Sequence, residues 1–193
     1  PHMVIPDTNI LWYEDKRKVV NPEFETFWSS HSSNYILELV ITEAVKGELL
    51  FQQSSSAIRS MKKATDCMDK ISKITGKEYR HKITEAKIKN QVEARFDNWL
   101  KGKDGRVEPT PADAIDWERL IQDSIWRNPP FEFDPKKEKV EKGFRDALIL
   151  ETVVALCKKE RRKHTIAFIC DDALLRDETK KGTLVLKQLD EGY

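Results

Sequence analysis

Met3-Val4-Ile5-Pro6-Asp7-Thr8-Asn9 is a short apolar run that stops on a carboxylate. It suits a buried strand whose C-terminal end presents Asp7 to water, and that reading sets the frame for the rest of the chain. Charged groups at the margin of a core are normally paired with something. Three more such margins follow in order: Val45-Lys46-Gly47-Glu48-Leu49, Phe144-Arg145-Asp146-Ala147-Leu148 and Phe168-Ile169-Cys170-Asp171-Asp172. One divalent metal site is the simplest partner for all four.

Working outward, Tyr35 to Ile41 favours a second strand, and Thr42 caps a helix that begins at Glu43. Ala44, Val45 and Leu49 face the core of that helix, with Glu48 near its edge. Asn21-Pro22-Glu23 has the cap, first-turn proline and acid of a helix start, with Phe24, Phe27 and Trp28 at helical spacing and Ser29 to Asn34 ending it. Ile58, Met61, Ala64, Met68, Ile71 and Ile74 form an amphipathic stripe that predicts a long helix stopping at Gly76. A second helical stretch runs from about Ile83 to Leu100, with Ile88, Val92, Phe96 and Trp99 on one face and Gly102 and Gly105 closing it. A third starts at Thr110-Pro111 or Asp116, carries Leu120, Ile121 and Ile125, and ends at Asn128-Pro129-Pro130.

Phe131 to Lys142 reads as a charged loop. Phe144 to Leu156, apolar almost all round, predicts a helix buried at the centre of the fold, with Asp146 in its first turn. Thr165 to Cys170 is a further strand with acids directly after it, and Thr183 to Leu189 a last one. Strands alternating with helices, and acids at strand ends and first helical turns, are the pattern of an α/β fold with an open parallel sheet and its site along one edge.

The chain has 193 residues, 39% of them hydrophobic, enough for one domain with its own core. Charged residues make up 35%, yet the net charge is only +1, so any contact with a polyanion must come from a local patch. Cys67, Cys157 and Cys170 form no paired framework, which points to a reduced, cytoplasmic protein. No apolar run approaches the roughly 20 residues that span a bilayer. Pro1-His2-Met3 reads as a remnant of cloning and is set aside from function.

The four signatures together resemble the PIN domain nucleases, over residues 4 to 55 and 125 to 190. That family opens with a strand ending in Asp-Thr-Asn, as at Asp7-Thr8-Asn9, and places a Glu in the helix after the second strand, where Glu48 stands. Its third acid begins a central helix in an Asp-Ala pair, matched by Asp146-Ala147. Its fourth follows a strand in a Thr-x-Asp or Ser-x-Asp pattern, matched with a departure: Cys170 holds the hydroxyl position, and Asp172 is the counterpart, with Asp171 as an auxiliary ligand. Arg127-Asn128-Pro129-Pro130-Phe131 and Lys142-Gly143-Phe144-Arg145-Asp146-Ala147 also look like a branch with a long helical insertion. The resemblance implies a three-layer α/β/α fold with a central parallel sheet, a single domain over 1–193 and a helical insertion at about 56–128.

The implied activity is metal-dependent hydrolysis of phosphodiester bonds, on single-stranded or structured RNA before DNA, by a toxin, an RNA-processing enzyme or a defence effector. Mg²⁺ and Mn²⁺ take oxygen ligands, so a cluster of three or four carboxylates suits one or two such ions, and the scattered cysteines and histidines offer no zinc set. Asp7, Asp146 and Asp172 are the expected ligands, with Glu48 a ligand through water or the orienter of the nucleophile. Glu43, beside the Thr42 cap, is its rival. Thr8 and Asn9 position Asp7 and the attacked phosphate, and Lys142 and Arg145 are expected to hold the nucleic-acid backbone.

Each acid alone also suits an ordinary turn, cap or helix surface, and only their order favours a metal site. His31, His81 and His164 are expected at the surface, and Trp28, Trp99, Trp117 and Trp126 to pack. Arg59, Lys62, Lys63, Lys70 and Lys73 would extend a substrate track if the insertion helices wall the cleft. The rival function is a catalytically silent module that binds RNA or protein. A protein inhibitor, a partner domain and a homodimer are further partners implied by the family.

Overall fold

His2–Pro6 forms β1, whose Met3, Val4 and Ile5 are buried, and it lies between two other strands. The computed structural model describes residues 2–13, 18–131, 143–172 and 175. After β1 come α1 (Thr8–Leu11), α2 (Pro22–Ser32), β2 (Leu37–Thr42), α3 (Glu43–Thr75), α4 (Glu85–Lys101) and β3 (Arg106–Glu108). A 3-10 turn at Ala112–Ala114, α5 (Trp117–Trp126), α6 (Phe144–Glu160) and β4 (Thr165–Ile169) complete the described chain.

The four strands make one parallel sheet in the order β3-β2-β1-β4, within a three-layer α/β/α fold. Val4 pairs with Leu39 on one side and Ala167 on the other. The chain leaves β1 toward β2 and later returns to pair β4 on the opposite side. The crevice between the C-terminal ends of β1 and β4 is therefore the topological switch point, where α/β sheets place their sites. Both faces of the central strands are covered, so they are apolar without alternation, as Met3, Val4, Ile5, Leu39, Val40 and Ile41 show. Met3 is fully buried and His2 pairs with Leu37 and Thr165, so these two residues, set aside above, belong to the sheet.

Thr42 starts α3 as read: its buried hydroxyl accepts from the Val45 N–H at 3.3 Å. Thr42→Ala should cost about 1 kcal/mol, read by urea unfolding, and a loss near zero would mean that the hydroxyl does not cap. The helix then runs unbroken for 33 residues to Gly76, whose φ of 67° ends it. The stripe at Ile58 to Ile74 is thus the distal half of α3 and not a separate helix. It is only partly covered, since Ile71 is 48% and Ile74 85% exposed. The loop after it folds back, with Ser72 Oγ accepting from the Tyr79 N–H and Thr65 bonded to His81.

α4 returns along α3, bridged by Lys62 to Glu85 and Lys46 to Glu93 and Asp97, and buries Phe96 and Leu100 in the main core. The span 56–128 also contains β3, paired with β2, so it is not helical throughout.

α6 departs from the expectation of a helix buried all round. Ala147, Ile149, Thr152, Val153 and Leu156 are buried, while Phe144 is 49% exposed. Trp28 packs and Trp99 is half-buried, but Trp117 and Trp126 lie on the surface. His164 is largely covered, set between Glu38 and Glu160, contrary to the surface position expected. The loop over Phe131 to Lys142 lies outside the described residues beyond Phe131, as does the strand predicted at Thr183 to Leu189.

Candidate active site

The end of β1 delivers Asp7. Its N–H donates to the Ile169 carbonyl at 2.8 Å, which carries the β1–β4 ladder one residue past the strand and fixes the carboxylate in the crevice. Asp7 is only 4% exposed. Burial pushes its pKa up most strongly, and the charge of Glu48 adds to this; the N–H groups of Thr8 and Asn9 and the Cys170 thiol face the carboxylate and oppose the rise.

The other strand end carries Cys170, whose Sγ lies 3.4 Å from Asp7 Oδ2. Burial, then the charge of Asp7, pushes this thiol up to about 12, so it stays protonated and donates to Asp7, as a hydroxyl would. The Asp172 N–H approaches the same sulfur at 3.3 Å, and Asp172 Oδ1 accepts from the Leu175 N–H at 3.1 Å. Asp171 and Asp172 are both exposed.

Glu48, in the second turn of α3, reaches the crevice where Glu43 does not. Thr8 Oγ1 donates to Glu48 Oε2 at 2.9 Å, across 40 residues of sequence. Glu43 points elsewhere and accepts from the Thr110 N–H at 3.0 Å. The remaining oxygen, Glu48 Oε1, accepts from Gln52 Nε2 at 3.2 Å and from the Arg145 guanidinium at 2.7 Å.

α6 contributes Asp146 from its first turn, three residues after the N-cap Gly143. A carboxylate there benefits from the helix dipole. Burial outweighs this, and together with the charges of Asp7, Asp172 and Glu48 it lifts Asp146 to about 6, against the opposing field of Arg145. Asp7, Glu48 and Asp172, each from a different element, are thus within electrostatic reach of Asp146.

The carboxylates supply oxygen donors, the kind that Mg²⁺ and Mn²⁺ take. Among the described residues no three His, Cys, Asp or Glu side chains stand together in ligating position.

Thr8 is buried, with its hydroxyl on Glu48 and its N–H facing Asp7; Asn9 is exposed, and its N–H faces Asp7 as well. Lys142 lies outside the described residues. Gln52 was not singled out by sequence, although its i+4 spacing from Glu48 on one helix was the available signal.

A family model described as PIN domain matches residues 4–174. No curated protein and no solved structure matches the chain. Among the described residues no helix is long and apolar enough to cross a membrane.

Proposed function

Because this chain belongs to the PIN domain family, a family of nucleases, we propose that it is a Mg²⁺- or Mn²⁺-dependent endoribonuclease acting on single-stranded or structured RNA. The observation that carries the reading is that the ends of β1 and β4, the second turn of α3 and the first turn of α6 place Asp7, Asp172, Glu48 and Asp146 around one crevice, with the other three close enough to act on Asp146. A folded protein tolerates such crowding where a cation offsets it in use.

Asp7, Asp146 and Asp172 would hold the ion, Glu48 would join them through a water, and Asp171 would be an auxiliary. When bound, the metal supplies an acidified water and stabilises the departing oxygen. The chain's own groups position the rest: Cys170 and the β1–β4 ladder fix Asp7, Thr8 and Gln52 fix Glu48, and Arg145 and Lys142 supply positive charge for the RNA backbone. All three cysteines are free, which suits the proposed cytoplasmic setting. A role in RNA processing, defence or as a toxin, with an inhibitor or a second copy as partner, belongs to the same proposal.

The test is cleavage of end-labelled single-stranded RNA, structured RNA and single-stranded DNA in Mg²⁺, Mn²⁺ and EDTA. Internal cuts in RNA with either metal and none in EDTA are expected. A folded protein that binds RNA but cuts no substrate under any condition would overturn the reading in favour of a silent binding module.

A further inference from the structure

Both oxygens of Glu48 are engaged, and one of its partners comes from the helix that carries Asp146. Arg145 immediately precedes Asp146 in the first turn of α6, and its guanidinium reaches across to α3 to meet Glu48 Oε1 at 2.7 Å. Thr8 and Gln52 are neutral donors, so among the described residues Arg145 is the partner that brings charge to this carboxylate.

We propose that Arg145 is the internal counter-ion of the metal-free acid cluster: it holds Glu48 until a divalent cation takes its place, and so sets the affinity of the site for that cation. The inference rests on the nuclease reading for the identity of the cation. The pair is asymmetric, since the Glu48 side chain is 16% exposed and that of Arg145 57%. Arg145 can therefore swing into water at small cost while Glu48 stays in the crevice. A guanidinium brings one positive charge and a divalent ion two, so the cation is the stronger partner once present. Until then, only the fraction of molecules with Glu48 released is ready to receive it, and apparent affinity is reduced by that fraction. Arg145 is thus a positioning residue acting through Glu48, and its release leaves a guanidinium free at the cleft for a backbone phosphate.

The test is Mn²⁺ binding without substrate, read by the paramagnetic resonance of the free ion, on wild type, Arg145→Gln and Arg145→Lys. Loss of a half-buried ion pair predicts Mn²⁺ bound about three- to ten-fold more tightly by Arg145→Gln, with Arg145→Lys near wild type. In thermal unfolding, Arg145→Gln should melt below wild type in EDTA and show the larger shift on adding Mn²⁺. Equal or weaker Mn²⁺ binding by folded Arg145→Gln, with wild type binding normally, would overturn the counter-ion role and leave the nuclease reading intact. If neither protein binds Mn²⁺ at millimolar levels, the metal reading itself falls, and this inference with it.

Discussion

The Asp146→Asn protein should be inert as a nuclease and yet more stable than wild type when metal is absent. The first effect follows from removing a proposed ligand: several kcal/mol of transition-state stabilisation, or at least a ~10³-fold drop in cleavage, should go with it. The second follows from burial and three neighbouring carboxylates, which lift Asp146 from 3.8 to about 6. A folded-state pKa above the unfolded one means that the native chain holds this proton more tightly. Well below pH 3.8 the group is protonated in both states and costs nothing. Between about 4 and 6 the native state progressively pays the penalty of ionising it, and above 6 that penalty is complete. The full shift would be worth about 3 kcal/mol, but Asp146 is partly exposed and screened by water, so a gain of about 1–2 kcal/mol for Asn is expected at pH 7.5. Urea unfolding in EDTA at pH 7.5 and pH 4 reads it directly: the gain should be full at the first and largely lost at the second. Saturating Mn²⁺ should reverse the order, because it stabilises only the protein that binds it. A variant less stable than wild type in EDTA at pH 7.5 would show that Asp146 is not a strained acid.

The places of the four acids in the fold were legible in sequence because each sits where an apolar strand or helix meets water, and Asp7 and Asp146 carry neighbours that mark a strand end and a helix start. The choice between Glu43 and Glu48 was not legible. Both lie on the same helix, and only the packing of α3 against α1 decides that Glu48 meets Thr8 while Glu43 meets Thr110. Strand β3 was missed because Arg106-Val107-Glu108 has three residues and two charges, and its strand character comes from pairing with β2. Its charges suit that edge: Arg106 meets both Glu38 and Glu108, and Lys159 reaches Glu108 at 3.7 Å. The stripe from Ile58 to Ile74 announced a helix correctly, but helical period says nothing about what lies opposite. In the same way, an almost continuous apolar run over α6 failed to reveal that Phe144 is half exposed and that Arg145 reaches across to Glu48. Periodicity recovers elements, whereas partners depend on contacts made across tens of residues.

Gly143→Ala should destabilise the protein by about 3 kcal/mol or more, through strain and overlap together. Gly143 has a φ of 108°, a conformation that L side chains rarely adopt. A methyl there would stand 2.5 Å from the Pro130 carbonyl oxygen, 2.6 Å from Phe131 Cα and 2.8 Å from the Pro130 carbonyl carbon. All three are backbone atoms and cannot rotate aside. Phe131 is 2% exposed and packs in a small cluster with Ile115, Leu120 and Ala147, so relief of the overlap must open that cluster or shift the start of α6. The first turn of α6 carries Arg145 and Asp146, and cleavage should fall with stability even though neither residue is changed. Gly47→Ala makes the comparison sharp. It lies next to Glu48 in α3, nothing stands within 4 Å of its added methyl, and the residue is in a helix interior, so a gain of about 0.5–1 kcal/mol is expected. Urea unfolding of the two variants should therefore move in opposite directions. A Gly143→Ala protein within 1 kcal/mol of wild type would mean that the turn into α6 does not fix the position of Asp146 as tightly as its close backbone contacts imply.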